Sequence, residues 1–139
     1  MLDGLLEFKT DRQREEWESG QLSKKLKWIV RVIAVASYYV FNKKVVITDI
    51  FRTQQENEKI YGWAPGSRKK RPVSVHSFWR GIDLRVIGNK RKSHYKKAEA
   101  KTIARIGNAF LYDTKRPNKK TAVYGDQRHS NHIHLQVLS

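Results

Sequence analysis

The chain contains no cysteine. A disulfide framework and every cysteine-ligated zinc site are therefore excluded, and any metal must be held by histidine and carboxylate. Acidic residues are also scarce, 13 against 29 lysines and arginines, for a formal net charge of +16. Such a balance favours polyanionic partners, namely nucleic acid, acidic lipid or an anionic cell wall, without choosing among them. Long apolar runs are missing as well. The longest, WIVRVIAVASYYVF, is interrupted by Arg31 and falls short of the roughly 20 residues that span a bilayer. The opening MLDGLLEFKTDRQREEWESG places acids too early, and lacks the basic-then-apolar order, for a secretory signal. These features predict a soluble protein without a signal peptide, made in the cytoplasm.

What is present describes a folded domain. Its 139 residues, 39% of them hydrophobic with four tryptophans, suffice for one core and predict a single domain over 1–139. Residues 3–18 read as a short helix carrying Leu5, Leu6, Phe8 and Trp17, broken at Ser19-Gly20. From Leu22 to about Phe41, Leu22, Leu26, Ile29, Val30, Ile33, Ala36, Tyr39 and Val40 recur at helical spacing, with Val32 and Val35 widening the stripe. KVVITDIF reads as a buried strand, TQQENEKIYG as a short helix closed by Gly62, and GIDLRVIG as a strand with Asp83 opposite Ile82, Leu84 and Val86. After a basic turn, HYKKAEAKTIARIGNAFLYD forms a second amphipathic helix, with His94 assigned to solvent, and TAVYG and HIHLQVL are strands. Helices around a small, mainly antiparallel sheet give an α+β fold.

Four of the five histidines fall in two segments: His76 in SVHSFWRGIDLRV, and His129, His132 and His134 in HSNHIHLQV. Asp83 follows His76 by seven positions. A catalytic zinc takes three protein ligands and keeps one position open, and imidazole nitrogen and carboxylate oxygen both suit it. Residues two apart on a strand point to one side, about 6.6 Å apart. His132 and His134 therefore share a site, one as a ligand and the other beside it. Asp83 and His76 complete a three-ligand set.

Ser74-x-His76-x6-Asp83 with a terminal His132-x-His134 resembles the zinc peptidases grouped as lysostaphin, D-alanyl-D-alanine carboxypeptidase and sonic hedgehog folds. The resemblance covers roughly residues 40–139 and leaves 1–20 outside it. It implies a hedgehog/DD-peptidase-like fold, one Zn2+ on His76, Asp83 and His134, and His132 beside the metal as a catalytic residue. ITDIFRT resembles the segment that precedes the motif in the D-alanyl-D-alanine peptidases, which gives Arg52 the role of gripping a substrate carboxylate. Ser74 is a further candidate for contact with substrate. Two departures stand out. The acidic base that many members place three residues before the last ligand is replaced by Asn131, and the usual glycine three residues after the first histidine is Trp79. HSNHIH is instead similar to the penicillin-insensitive murein endopeptidases, which brings His129 into the active site and leaves Asp126 as a candidate base.

The resemblance implies hydrolysis of bacterial peptidoglycan stem peptides by an endolysin-like peptidase. It would reach the cell wall after release, by phage lysis or within a larger assembly. The bond could be a D-Ala-D-Ala terminus, an L-alanyl-D-glutamate bond or a cross-link. The basic clusters Arg68-Lys69-Lys70-Arg71, Lys90-Arg91-Lys92 and residues 115–120 are suited to hold an anionic wall polymer. Two other readings stand beside this one. A nucleic-acid-binding protein fits the charge, with Trp63 and Trp79 as stacking candidates, though no nucleic-acid signature of fixed spacing is present. A zinc-bearing binding module without catalysis fits the same ligands. A monomer is expected in each case.

Overall fold

The computed structural model describes residues 2–61, 74–110, 112, 114–116, 118–126 and 129–138. Gly62, Trp63 and the basic cluster 68–71 lie outside them. The fold is α+β: β1 (Leu6–Phe8), α1 (Asp11–Glu18), α2 (Lys24–Phe41), β2 (Val45–Asp49), α3 (Gln54–Tyr61), β3 (Gly81–Arg85), α4 (Lys97–Asn108), β4 (Ala122–Val123) and β5 (His132–Gln136). The five strands form one sheet in the order β1-β2-β3-β5-β4.

The expectation of a mainly antiparallel sheet is corrected to a mixed one, because β1 pairs with β2 in parallel while the other pairings are antiparallel. The parallel edge comes from residues read as helix. Leu6 is buried and Glu7 exposed, the alternation of a half-covered strand. The helix starts only at Asp11, where Thr10 and Gln13 form a capping box.

α2 is the main core helix. Ser23 caps it by accepting a hydrogen bond from the Leu26 amide, and Asn42 ends it in the left-handed conformation. It buries Leu26, Ile29, Val30, Ile33, Ala34 and Ser37. Each fully covered Ile or Leu contributes roughly 1.5–3 kcal/mol. Tyr39, Val40 and Val32, placed on the inner stripe by periodicity, are exposed instead. α4 closes onto β4 and β5 at Gly107, where an added Cβ would lie 2.9 Å from that of Ala122 and 3.2 Å from Leu135 Cδ2, with Ile33 of α2 at 3.7 Å. It is shorter than expected and begins at Lys97, leaving His94 before it. His94 is not in solvent: its Nε2 lies 2.6 Å from the Lys44 carbonyl and its ring meets Tyr95 edge-on.

Pleating sorts the central strands by face. Ile82 pairs with Leu135 and Leu84 with Ile133, and all four belong to the core with the α2 and α4 residues. Asp83 pairs with His134, and Arg85 with His132, on the opposite face. The polar site therefore lies on the side of the sheet away from α2 and α4. Among the described residues, no helix is long and apolar enough to cross a membrane.

Candidate metal centre

His76 reaches the site from a 3-10 turn, Val75–Phe78, laid over β3. Ser74 starts this turn by accepting a hydrogen bond from the His76 amide at 3.3 Å, so its visible role is to cap the turn. Trp79 ends the turn at φ 59°, a conformation that costs a residue with a Cβ about 1–2 kcal/mol. The glycine that the resemblance expects here would adopt it freely. Stacking of Trp79 on Phe51, with centroids 4.6 Å apart, offsets part of that cost. Gly81 has no room for a side chain: a Cβ there would sit 2.7 Å from Val75 Cγ2 and 3.4 Å from His134 Cε1. Its lack of one lets the turn close onto the strand.

His76, Asp83 and His134 converge, with one ligand atom from each lying within 4.8 Å of the others. The surrounding bonds show which atoms point inward. His76 Nδ1 is 2.9 Å from the Ile50 carbonyl. A carbonyl only accepts, so Nδ1 carries the proton and Nε2 a lone pair. That Nε2 is buried without a hydrogen-bond partner, although Asp83 Oδ1 lies 3.3 Å away.

His134 is oriented in the same manner by Gln136. The Gln136 amide nitrogen donates to the Lys120 carbonyl at 2.9 Å, which turns its Oε1 toward His134 Nε2 at 3.2 Å. Nε2 is thereby the protonated nitrogen, and Nδ1 presents a lone pair 2.9 Å from Asp83 Oδ1. Two imidazole lone pairs and a carboxylate oxygen thus face one another in a buried space. Only a proton or a cation between them relieves the repulsion. Tetrahedral zinc with bonds of about 2.0–2.1 Å separates its ligand atoms by about 3.4 Å, and the two nitrogens lie 3.3 and 2.9 Å from Asp83 Oδ1, so the donor set suits a small divalent ion.

Electrostatics follow from the same contacts. Burial pushes His76 down, but the Asp83 carboxylate outweighs it and the net shift is upward. Burial raises Asp83, and the two histidines overcome this and hold it well below the usual carboxylate range. Arg52 donates to Asp83 Oδ2 at 3.1 Å and also bonds Asp49. It is buried, so it is no ordinary surface arginine, and it leaves Oδ1 as the inward oxygen. Sequence reasoning gave Arg52 to a substrate carboxylate; what the structure displays is a grip on the site's own carboxylates.

His132 stands beside the group, its Nε2 3.9 Å from Asp83 Oδ2. Its Nδ1 is 2.7 Å from the Asn131 side-chain oxygen. Burial lowers its pKa, so it is neutral at pH 7. His129 lies against both neighbours, with ring centroids 5.2 Å from His132 and 5.6 Å from His134. Asp126 Oδ1 accepts from its Nδ1 at 2.7 Å and from its amide at 2.8 Å. All eight candidates are thus local to one another, with Ser74 and Asp126 one step removed.

Sequence reasoning missed Gln136 and the Ile50 carbonyl. The first was readable, since His132, His134 and Gln136 alternate along one strand face. The second was not, because a backbone carbonyl carries no residue signature. No protein-family model matches the chain, and neither the curated proteins nor the solved structures supply a significant match.

Proposed function

We propose that the protein is a zinc-dependent peptidase that cleaves stem peptides of bacterial peptidoglycan. The observation that carries this reading is the convergence of His76 Nε2, Asp83 Oδ1 and His134 Nδ1 as three inward donors. Nitrogen and oxygen donors without thiolate, three in number and with His129 and His132 alongside, match a catalytic rather than a structural zinc site. When bound, zinc supplies Lewis acidity, lowering the pKa of a water to about 7 and polarising a carbonyl.

The remaining work falls to the chain. Asn131 holds the Nδ1 proton of His132, so Nε2 faces the centre as an acceptor for a proton from water. Asp126 orients His129 in the same way, and its Nε2 can then take up or return a proton to the leaving amine. Asp126 accordingly positions a base instead of acting as one. Arg52 fixes Asp83, and Ser74 sets the turn that delivers His76. The choice of peptidoglycan rests on the resemblance of the motifs and on the charge of +16, which attracts an anionic wall polymer. Release at lysis of a phage-infected cell would bring the protein to this substrate.

Purified sacculi incubated with the zinc-loaded protein test the reading, with mass spectrometry of the released fragments. Cut stem peptides are expected from the wild type. His132→Ala should lose turnover while keeping its metal, and His134→Ala should lose both. Intact sacculi with a correctly loaded protein would refute catalysis and favour a zinc-bearing binding module. Tight, salt-sensitive DNA binding with no hydrolysis would favour the nucleic-acid reading.

A further inference from the structure

α2 turns its inner face to the core and leaves an apolar outer face uncovered. Trp28 is 59% exposed, Val32 40%, Tyr39 76% and Val40 70%. Trp28, Val32, Val35 and Tyr39 follow one another at intervals of four, three and four residues, which is a single stripe along a helix. An amphipathic helix in a globule normally has a charged outer face; here the outer face is aromatic and aliphatic. The helix contains Lys24, Lys25, Lys27 and Arg31 and no aspartate or glutamate. Arg31 lies over the Trp28 ring, 5.7 Å from its centroid, with its guanidinium paired to Asp3 at 2.9 Å, so Lys24 and Lys25 are the cations that edge the stripe.

We propose that this face is a docking surface for an anionic lipid bilayer, on which α2 lies in the plane of the interface. Charge decides among the possible occupants. A second copy of the chain would also carry +16 and be repelled. A membrane bearing acidic headgroups is attracted by the same charge, by about 1 kcal/mol per cation near the surface. The side chains suit that partner too. Tryptophan and tyrosine favour the boundary between headgroups and acyl chains, and an apolar stripe edged with lysine and arginine is the pattern of interfacial helices. Side chains this exposed stand out from the surface and cannot form the floor of a peptide-binding groove. Since α2 packs on the side of the sheet opposite Asp83 and His134, a protein lying on this helix turns its polar site away from the bilayer. The proposal is independent of the metal and of the peptidase reading.

Co-sedimentation with vesicles of phosphatidylcholine containing about 30% phosphatidylglycerol tests it, at low salt and at about 0.5 M salt, where pure charge attraction is screened. Trp28→Ser/Tyr39→Ser alters only exposed side chains, so its circular dichroism and melting should match the wild type. The wild type should stay bound in high salt, and the double variant should bind at least about tenfold more weakly there. Equal binding by both proteins, or wild-type binding that vanishes in high salt, would overturn the proposal. So would concentration-dependent dimerisation abolished by the double variant without vesicle binding, which would make the stripe an interface between copies.

Discussion

Gln136 is the residue on which the geometry of the site turns most sharply. Its amide can satisfy both partners only one way round, since the Lys120 carbonyl requires a donor and thereby leaves Oε1 for His134. The glutamine sets which imidazole nitrogen is free, the task that outer partners of metal-binding histidines commonly perform. Gln136→Leu should weaken zinc binding roughly 10–100-fold, measured by competition with a chromophoric chelator. Gln136→Glu retains an acceptor for His134 and should keep most of the affinity. Equal affinities for wild type and Gln136→Leu would show that His134 needs no such partner.

Between elements, the polar connection of note links the end of α2 with the approaches to β2 and α4. Ser37 Oγ donates to the Lys43 carbonyl at 2.5 Å and accepts from the Tyr95 hydroxyl, also at 2.5 Å. Burial pushes the Tyr95 phenol up to about 12. Its folded-state pKa lies above that of an unfolded tyrosine, about 10. The neutral form is therefore favoured in the fold, and the stability it contributes is intact below about pH 10 and lost as pH rises toward 12. Over that window the loss is roughly 2–3 kcal/mol. Urea midpoints followed from about pH 9 to 12 should fall more steeply for the wild type than for Tyr95→Phe, whose ring cannot ionise. Parallel slopes would mean that Tyr95 is accessible to hydroxide in the native state.

For the whole molecule, the parts legible in the sequence were those governed by local pattern. The 3.6-residue period of Leu26, Ile29, Val30 and Ile33 marked α2, and alternation set Asp83 opposite Ile82, Leu84 and Val86 and put His132 and His134 on one side of their strand, while the pairing of Asp83 with His134 came from the sheet register. Contacts set by distant chain were hidden. β1 is too short to show a period, and its strand character depends on pairing with Val45–Asp49. His94 was misread because its partner is a backbone carbonyl 50 positions away. Tyr39 and Val40 were placed in the core because periodicity reports which residues are apolar, not how wide a face the rest of the fold covers. Within the site, residue types and spacing were readable, while the donor atom of each ligand, the turn of Arg52 toward Asp83 and the role of Gln136 required coordinates.

All of the chemistry above rests on His76, Asp83 and His134 holding one cation together. Zinc titration of metal-free protein, wild type beside His76→Ala, Asp83→Ala and His134→Ala, measures this directly. The expected result is about one zinc per wild-type chain and a loss of affinity of at least about a hundredfold in each variant. Wild-type protein that takes up no zinc, or three variants that bind it as tightly as the wild type, would contradict the account.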